Sequence, residues 1–238
     1  MTPKRRLLPQ GPDERIDSTG TMPVRPRHPL HGPDQDAGTR SPIGAFTPGQ
    51  PAGYPTELEV DVSLGDGRHV HVRPILPSDA PKLAAAIAGA DAETLRLRFL
   101  GWQPILDDAT LRHLVEVDYD RRLALVALDS VGGGVGVARY EGRPDEDVAE
   151  IAVAVDPDWR RRGLGFRLLS MLGAAAASRG IRQLVAFYFD GNRDVEGLVR
   201  SSGLPYRSLV SRGIVEARLD LPLLAPFDPP APDGHVPA

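Results

Sequence analysis

The sequence predicts an α/β domain, a mixed and mostly antiparallel sheet flanked by helices. It lies between an N-terminal segment and a C-terminal tail that read as disordered. Three observations carry this. Residues 149–169, AEIAVAVDPDWRRRGLGFRLL, read as strand, glycine loop and helix in immediate succession. Alternating apolar segments recur on both sides of that unit, yet only one helix has to cross over between two parallel strands, so the remaining strands can pair antiparallel. The two ends of the chain are rich in proline and lack apolar periodicity.

Residues 1–55 hold 11 of the 24 prolines, and about a third of that segment is Pro plus Gly, a composition typical of disordered sequence. Residues 222–238 hold 6 more. The expected folded domain is 56–221, large enough to bury about 70% of its unfolded surface. Within it, Leu58, Val60 and Val62 alternate, Gly65-Asp66-Gly67 turns, and Val70 and Val72 alternate again, which predicts a hairpin. Arg73-Pro74 stops the second strand, and Ser78 is placed to cap a helix through Lys82, Leu83 and Ile87. Asp91 heads a second helix containing Leu95, Leu97, Phe99 and Leu100, and Asp107 or Asp108 heads a third containing Leu111, Leu114 and Val115. Strands are expected over 122–129 and 135–141, separated by Gly132-Gly133-Gly134. An acidic loop at 144–147 leads to the central strand, in which Ile151, Val153 and Val155 share one face and Glu150, Ala152 and Ala154 the other. Asp156-Pro157-Asp158 ends it, because proline has no N–H for the ladder. The helix after the loop carries Phe166, Leu168, Leu169 and Leu172 and ends near Arg179-Gly180. A strand over 183–189, a short helix from Asn192 to Ser202 closed by Gly203, and strands near 206–211 and 213–219 complete the order.

Composition narrows the chemistry. There is no cysteine, which removes disulfides, thiolate metal sites and a Cys nucleophile. The net charge of −4 gives no nucleic-acid footprint. No apolar run reaches the length of a membrane span, and the basic Lys4-Arg5-Arg6 start lacks the apolar stretch of a signal peptide, so a cytoplasmic protein is expected. His69 and His71 share a strand face, but two imidazoles without a third ligand do not make a metal site, and no metal is expected. The loop is neither a P-loop nor a dinucleotide fingerprint, since the lysine of the one and the third glycine of the other are missing. A glycine loop opening a helix does present N–H groups suited to phosphate.

A strand stopped by Asp-Pro, then Arg160-Arg161-Arg162-Gly163-Leu164-Gly165 and a helix, resembles the acyl-CoA signature Gln/Arg-x-x-Gly-x-Gly/Ala of the GNAT N-acetyltransferase superfamily. RPILPSDA at 73–80 and TLRLRF at 94–99 are similar to the leading motifs of the bacterial protein-lysine acetyltransferases in that superfamily. The resemblance implies a GNAT-type sheet over 56–221, acetyl-CoA as acyl donor, and an amine acceptor of the protein-lysine class. It implies that pantetheine lies along Val153, Ala154 and Val155. It sets the diphosphate on the N–H groups from Arg161 to Phe166, with Arg160, Arg161 and Arg162 offering charge and Gly163, Leu164 and Gly165 shaping the turn. It brings Asn192 to the pantetheine arm and makes Glu150, at the start of the central strand, the general base. The tyrosine that often serves as acid in the family is replaced by Val199, leaving Tyr188 as the nearest alternative. Gly203-Leu204-Pro205 likewise departs from the usual Gly-Phe. Acetylation of a small amine, or a catalytically weak acyl-CoA-binding module motivated by Val199, are the alternative readings.

Overall fold

The computed structural model describes residues 50–101 and 106–222. The expectations for 1–49 and 223–238 lie outside the described residues. Eight strands form one sheet: β1 (Val60–Ser63), β2 (His69–Pro74), β3 (Arg122–Leu128), β4 (Gly134–Gly142), β5 (Val148–Val155), β6 (Gln183–Phe189), β7 (Tyr206–Ser211) and β8 (Ile214–Asp220). Their spatial order is β1-β2-β3-β4-β5-β6-β8-β7, and only β5 and β6 run parallel. The helix that crosses between them is α4 (Leu164–Ser178). The other helices are α1 (Ala80–Gly89), α2 (Ala92–Arg98), α3 (Asp108–Val115) and α5 (Arg193–Ser201). A mixed, mostly antiparallel sheet flanked by helices is therefore what the chain forms.

Alternation along the strands sorts their side chains onto two faces. Leu123, Leu125, Tyr140, Ile151 and Leu184 belong to the main core, together with Leu164, Leu168, Met171 and Leu172 of α4. A second, smaller core of Ile75, Val115, Ala124 and Val126 lies on the opposite face, with Leu83 of α1 packed against it. β3 contributes to both cores, which is why its middle residues are all buried. Gly136 of β4 lies under α4 at close range, and a Cβ there would meet Leu168 at 3.2 Å and Leu164 at 3.3 Å.

The caps follow local chemistry. Asp91 accepts from the Thr94 N–H at 2.8 Å, and Asp107 from the Thr110 N–H at 2.8 Å, each filling one orphan donor of its helix. Ser78 does not cap α1. Pro77 instead starts a single 3₁₀ turn, Pro77–Asp79, and α1 begins after it. Asp79 is drawn into a two-pronged pair with Arg73, at 2.7 Å on both oxygens, and also accepts the Leu76 N–H at 2.8 Å. The RPILPSDA stretch is thus a lock between the end of β2 and the start of α1. Leu58, expected in the first strand, closes a 3₁₀ turn and is fully buried. Packing also begins before residue 56: Tyr54 stacks edge-on against Tyr119, with ring centroids 5.4 Å apart. Among the described residues no helix is long and apolar enough to cross a membrane.

Candidate active site

The site forms where the sheet comes apart. β5 pairs with β4 from Ala149 to Val155, but with β6 only from Val148 to Ile151. Past Ile151, among the described residues, the side of β5 away from β4 has no strand beside Val153, Ala154 and Val155. Polar backbone on such an edge needs a partner from elsewhere.

A groove of about 810 Å³ follows this edge. Its walls are α2 (Thr94, Leu97, Arg98), β5 (Val153, Ala154, Val155), the loop and helix start (Arg160, Arg161, Gly163, Gly165, Phe166) and α5 (Asn192, Asp194, Val195, Gly197, Leu198, Ser201). A smaller hollow of about 100 Å³ passes between the parted strands and is lined by Glu150, Ile151, Ala152, Ala186, Phe187, Tyr188 and Val199, among others. Leu97, Arg98, Val153, Val195 and Leu198 line both spaces, so the two lie side by side.

The loop has a built-in shape. Asp156 accepts the Asp158 N–H at 2.9 Å and starts the turn Pro157–Trp159. Arg161 has φ 59° and Gly163, the residue heading α4, has φ 88°; at position 163 only glycine takes that backbone without strain. A Cβ on Gly165 would point at Val155 and Leu198, into the groove wall. The first N–H groups of α4 have no acceptor within the helix and sit at this end of the groove.

The three arginines diverge. Arg160 donates to the Val155 carbonyl at 3.0 Å and to the Thr94 hydroxyl at 2.9 Å, tying the loop to α2. Arg161 is 80% exposed and reaches Asp194 at 3.4 Å. Arg162 is paired with Asp66 at 2.6 Å and lines neither space. Leu164 sends its side chain into the main core, which leaves only its backbone near the groove. Asn192 heads α5 and accepts the Val195 N–H at 3.3 Å, while also lining the groove.

Glu150 stands on the α1–α3 side of the sheet, opposite Glu141 of β4 and beside Val185 of β6. Cations gather on that side. Burial pushes the Arg98 guanidinium down, and the negative charges of Glu150 and Glu141 oppose the shift. Arg139 is pushed down to about 10 by burial, with Glu141 opposing and Arg98 and Arg122 adding to the shift. Glu141 meets His113 at 2.8 Å, Arg122 at 3.2 Å and Arg139 at 3.7 Å. Burial works to raise its carboxyl, but these three cationic neighbours hold it below the usual range. Tyr188 faces the α4 side, is almost fully buried, and has its hydroxyl pKa raised by burial and then by Glu196. Val199 is buried in the wall of the same hollow. Among the described residues no group of three or more His, Asp or Glu is placed to hold a metal. His69 is bonded to Ser63 and His71 to Asp61.

Sequence reasoning pointed to Asn192 and Val199 at α5 but missed the α2 wall and the rest of the α5 wall as site elements. Their only local signal is the apolar spacing of Leu97 in one helix and Val195, Leu198 and Val199 in the other, which marks a buried face but not what that face encloses.

The acetyltransferase (GNAT) family matches residues 92–203. An acetyltransferase of Pseudomonas aeruginosa is 33% identical over 144 residues, covering 59% of this chain and 77% of that protein. Acetyltransferase Pat of Mycolicibacterium smegmatis is 27% identical over 183 residues, and the match spans 75% of this chain and about half, 54%, of that protein. The crystal structure of the GNAT domain of S. lividans PAT superposes with a TM-score of 0.65 at 29% identity, over 71% of this chain and 99% of that domain. The chain belongs to the GNAT acetyltransferase family and is an N-acetyltransferase.

Proposed function

We propose that the protein moves an acetyl group from acetyl-CoA to a lysine side chain of another protein, with Glu150 as general base. The observation that carries this reading is the adjacency of the two spaces: the groove that starts at the glycine loop shares five wall residues with the hollow lined by Glu150. Acetyl-CoA would lie in the groove, its diphosphate on the N–H groups from Arg161 to Phe166 and its pantetheine along the free edge of Val153, Ala154 and Val155. A β5 N–H on that edge would hold the developing oxyanion.

The hollow suits an alkyl chain. Leu97, Ile151, Val195 and Leu198 give it apolar walls, and its volume of about 100 Å³ is small. Arg98 in the same wall disfavours a second ammonium, which separates a lysine side chain from a polyamine. The lysine ammonium, with a pKa of about 10.4 in water, has to lose a proton before its nitrogen attacks the thioester. Glu150 accepts that proton, and the cation of Arg98 nearby favours the neutral amine. Tyr188, kept protonated by burial, is the donor for the departing thiolate. With Tyr188 lining the same hollow, Val199 does not by itself favour a binding module.

The test is Glu150→Gln in the full chain. Thiol release with lysine-containing protein should fall by about 10²-fold or more, while calorimetric affinity for acetyl-CoA stays unchanged. An unchanged rate removes Glu150 from the mechanism.

A further inference from the structure

The tip of the β1–β2 hairpin lies far from the loop in sequence but against it in space. Asp66, in the turn between β1 and β2, meets Arg162 at 2.6 Å and Arg68 at 3.3 Å. Both arginines also converge on one backbone oxygen in the segment leading into the glycine loop: the Asp158 carbonyl accepts from Arg68 at 3.0 Å and from Arg162 at 3.1 Å. The Arg68 guanidinium then lies over the Trp159 ring, 4.9 Å from its centroid. The side chains of Asp66 and Arg162 are about three-quarters and two-thirds shielded, at 26% and 31% exposure. A single exposed ion pair contributes little, but a shielded network with several charge-assisted hydrogen bonds holds geometry.

We infer that Asp66 and Arg162 are positioning residues for the acyl donor, a brace from the β1–β2 turn that fixes the glycine loop, and that Arg162 is not itself a phosphate ligand. The inference rests on the donor-site reading proposed above. Arg160 secures the other flank of the loop through Val155 and Thr94. Between these two anchors, Arg161 is the arginine of the three whose side chain stays in solvent beside the groove, with Asp194 at 3.4 Å. Of the three adjacent charges, two are spent on holding backbone and one is left for the ligand. The left-handed backbone at Arg161 produces this split, because it sends successive side chains to different sides of the loop.

Calorimetric titration of the full chain with acetyl-CoA at low and high salt tests the brace. Asp66→Asn and Arg162→Met should each weaken binding by about tenfold. The double variant should bind no worse than either single one, since both remove the same contact. Arg162→Met should keep the salt dependence of the parent protein, whereas Arg161→Met should flatten it. A flattened salt dependence in Arg162→Met with normal binding by Asp66→Asn makes Arg162 a phosphate ligand and overturns the brace. Normal binding by both single variants, or fully additive losses, overturns it as well. Gly163→Glu separates the two levels. If it abolishes binding while the brace variants bind normally, the brace alone fails; if it binds normally, the donor-loop reading fails and the brace with it.

Discussion

The two faces of the sheet are held by different physics. On the α4 face, one apolar core runs from Leu58 and Val70 at the hairpin end to Leu219 at the other, filled by Leu164, Leu168 and Leu172. On the α1–α3 face the apolar cluster is small, and it borders two charged assemblies: Arg73 with Asp79, and Arg139, Arg122 and His113 around Glu141. The groove along β5 rests on the first face, through α4. Glu150 belongs to the second. Packing gives one face a fixed platform, and shielded charge sets the character of the other.

The largest effect should come from the packed face. Leu168→Ala removes a fully buried side chain packed against Gly136, and chemical denaturation should show a loss of about 4 kcal/mol. A loss below about 1 kcal/mol would mean that α4 is less tightly seated than its burial indicates. On the charged face, Asp79→Ala leaves Arg73 shielded without its partner and should cost about 3 kcal/mol. This contribution depends on pH. Burial alone would raise the Asp79 carboxyl, but hydrogen bonds from Arg73 and the Leu76 N–H more than offset it, and the folded pKa lies below the ordinary one. The stabilisation is therefore fully present above the unfolded value of about 3.9 and disappears as pH falls through the lower folded value. Parent and Asp79→Ala stabilities should converge on acidification; curves that stay parallel would assign the loss to packing. The smallest effect should come from Arg143→Ala, whose pair with Glu146 is open to solvent on both sides, with no measurable change in melting temperature.

The same contrast decides what the sequence makes legible. β5, its loop and α4 can be read directly, because a period of two gives way to Asp-Pro and then to a period near four, all within one short stretch. The caps at Asp91 and Asp107 can be read for the same reason, since donor and acceptor are three residues apart. Legibility fails where charge meets charge across the fold. Ser78 looks like a cap until Arg73 and Asp79 are seen to close on each other and Pro77 to start its own turn. Arg162 reads only as one of three charges beside the loop, and nothing local shows that Asp66, 96 positions earlier in the chain, meets it. Among 26 arginines, no periodicity indicates which acid each will meet. Glu150 is legible as a strand-start carboxylate, but its setting among Arg98, Arg139 and Glu141 arises from two other elements, α2 and β4.

The parting of β5 from β6 after Ile151 leaves an eight-stranded ladder with rungs missing at its centre. A molecule lying there becomes, for as long as it stays, a piece of the protein's own sheet. Occupancy and thermal resistance are then a single quantity seen two ways: each tenfold rise in ligand above its dissociation constant adds about 1.4 kcal/mol to the folded state. A melting curve recorded against ligand concentration would measure how completely the missing rungs have been filled.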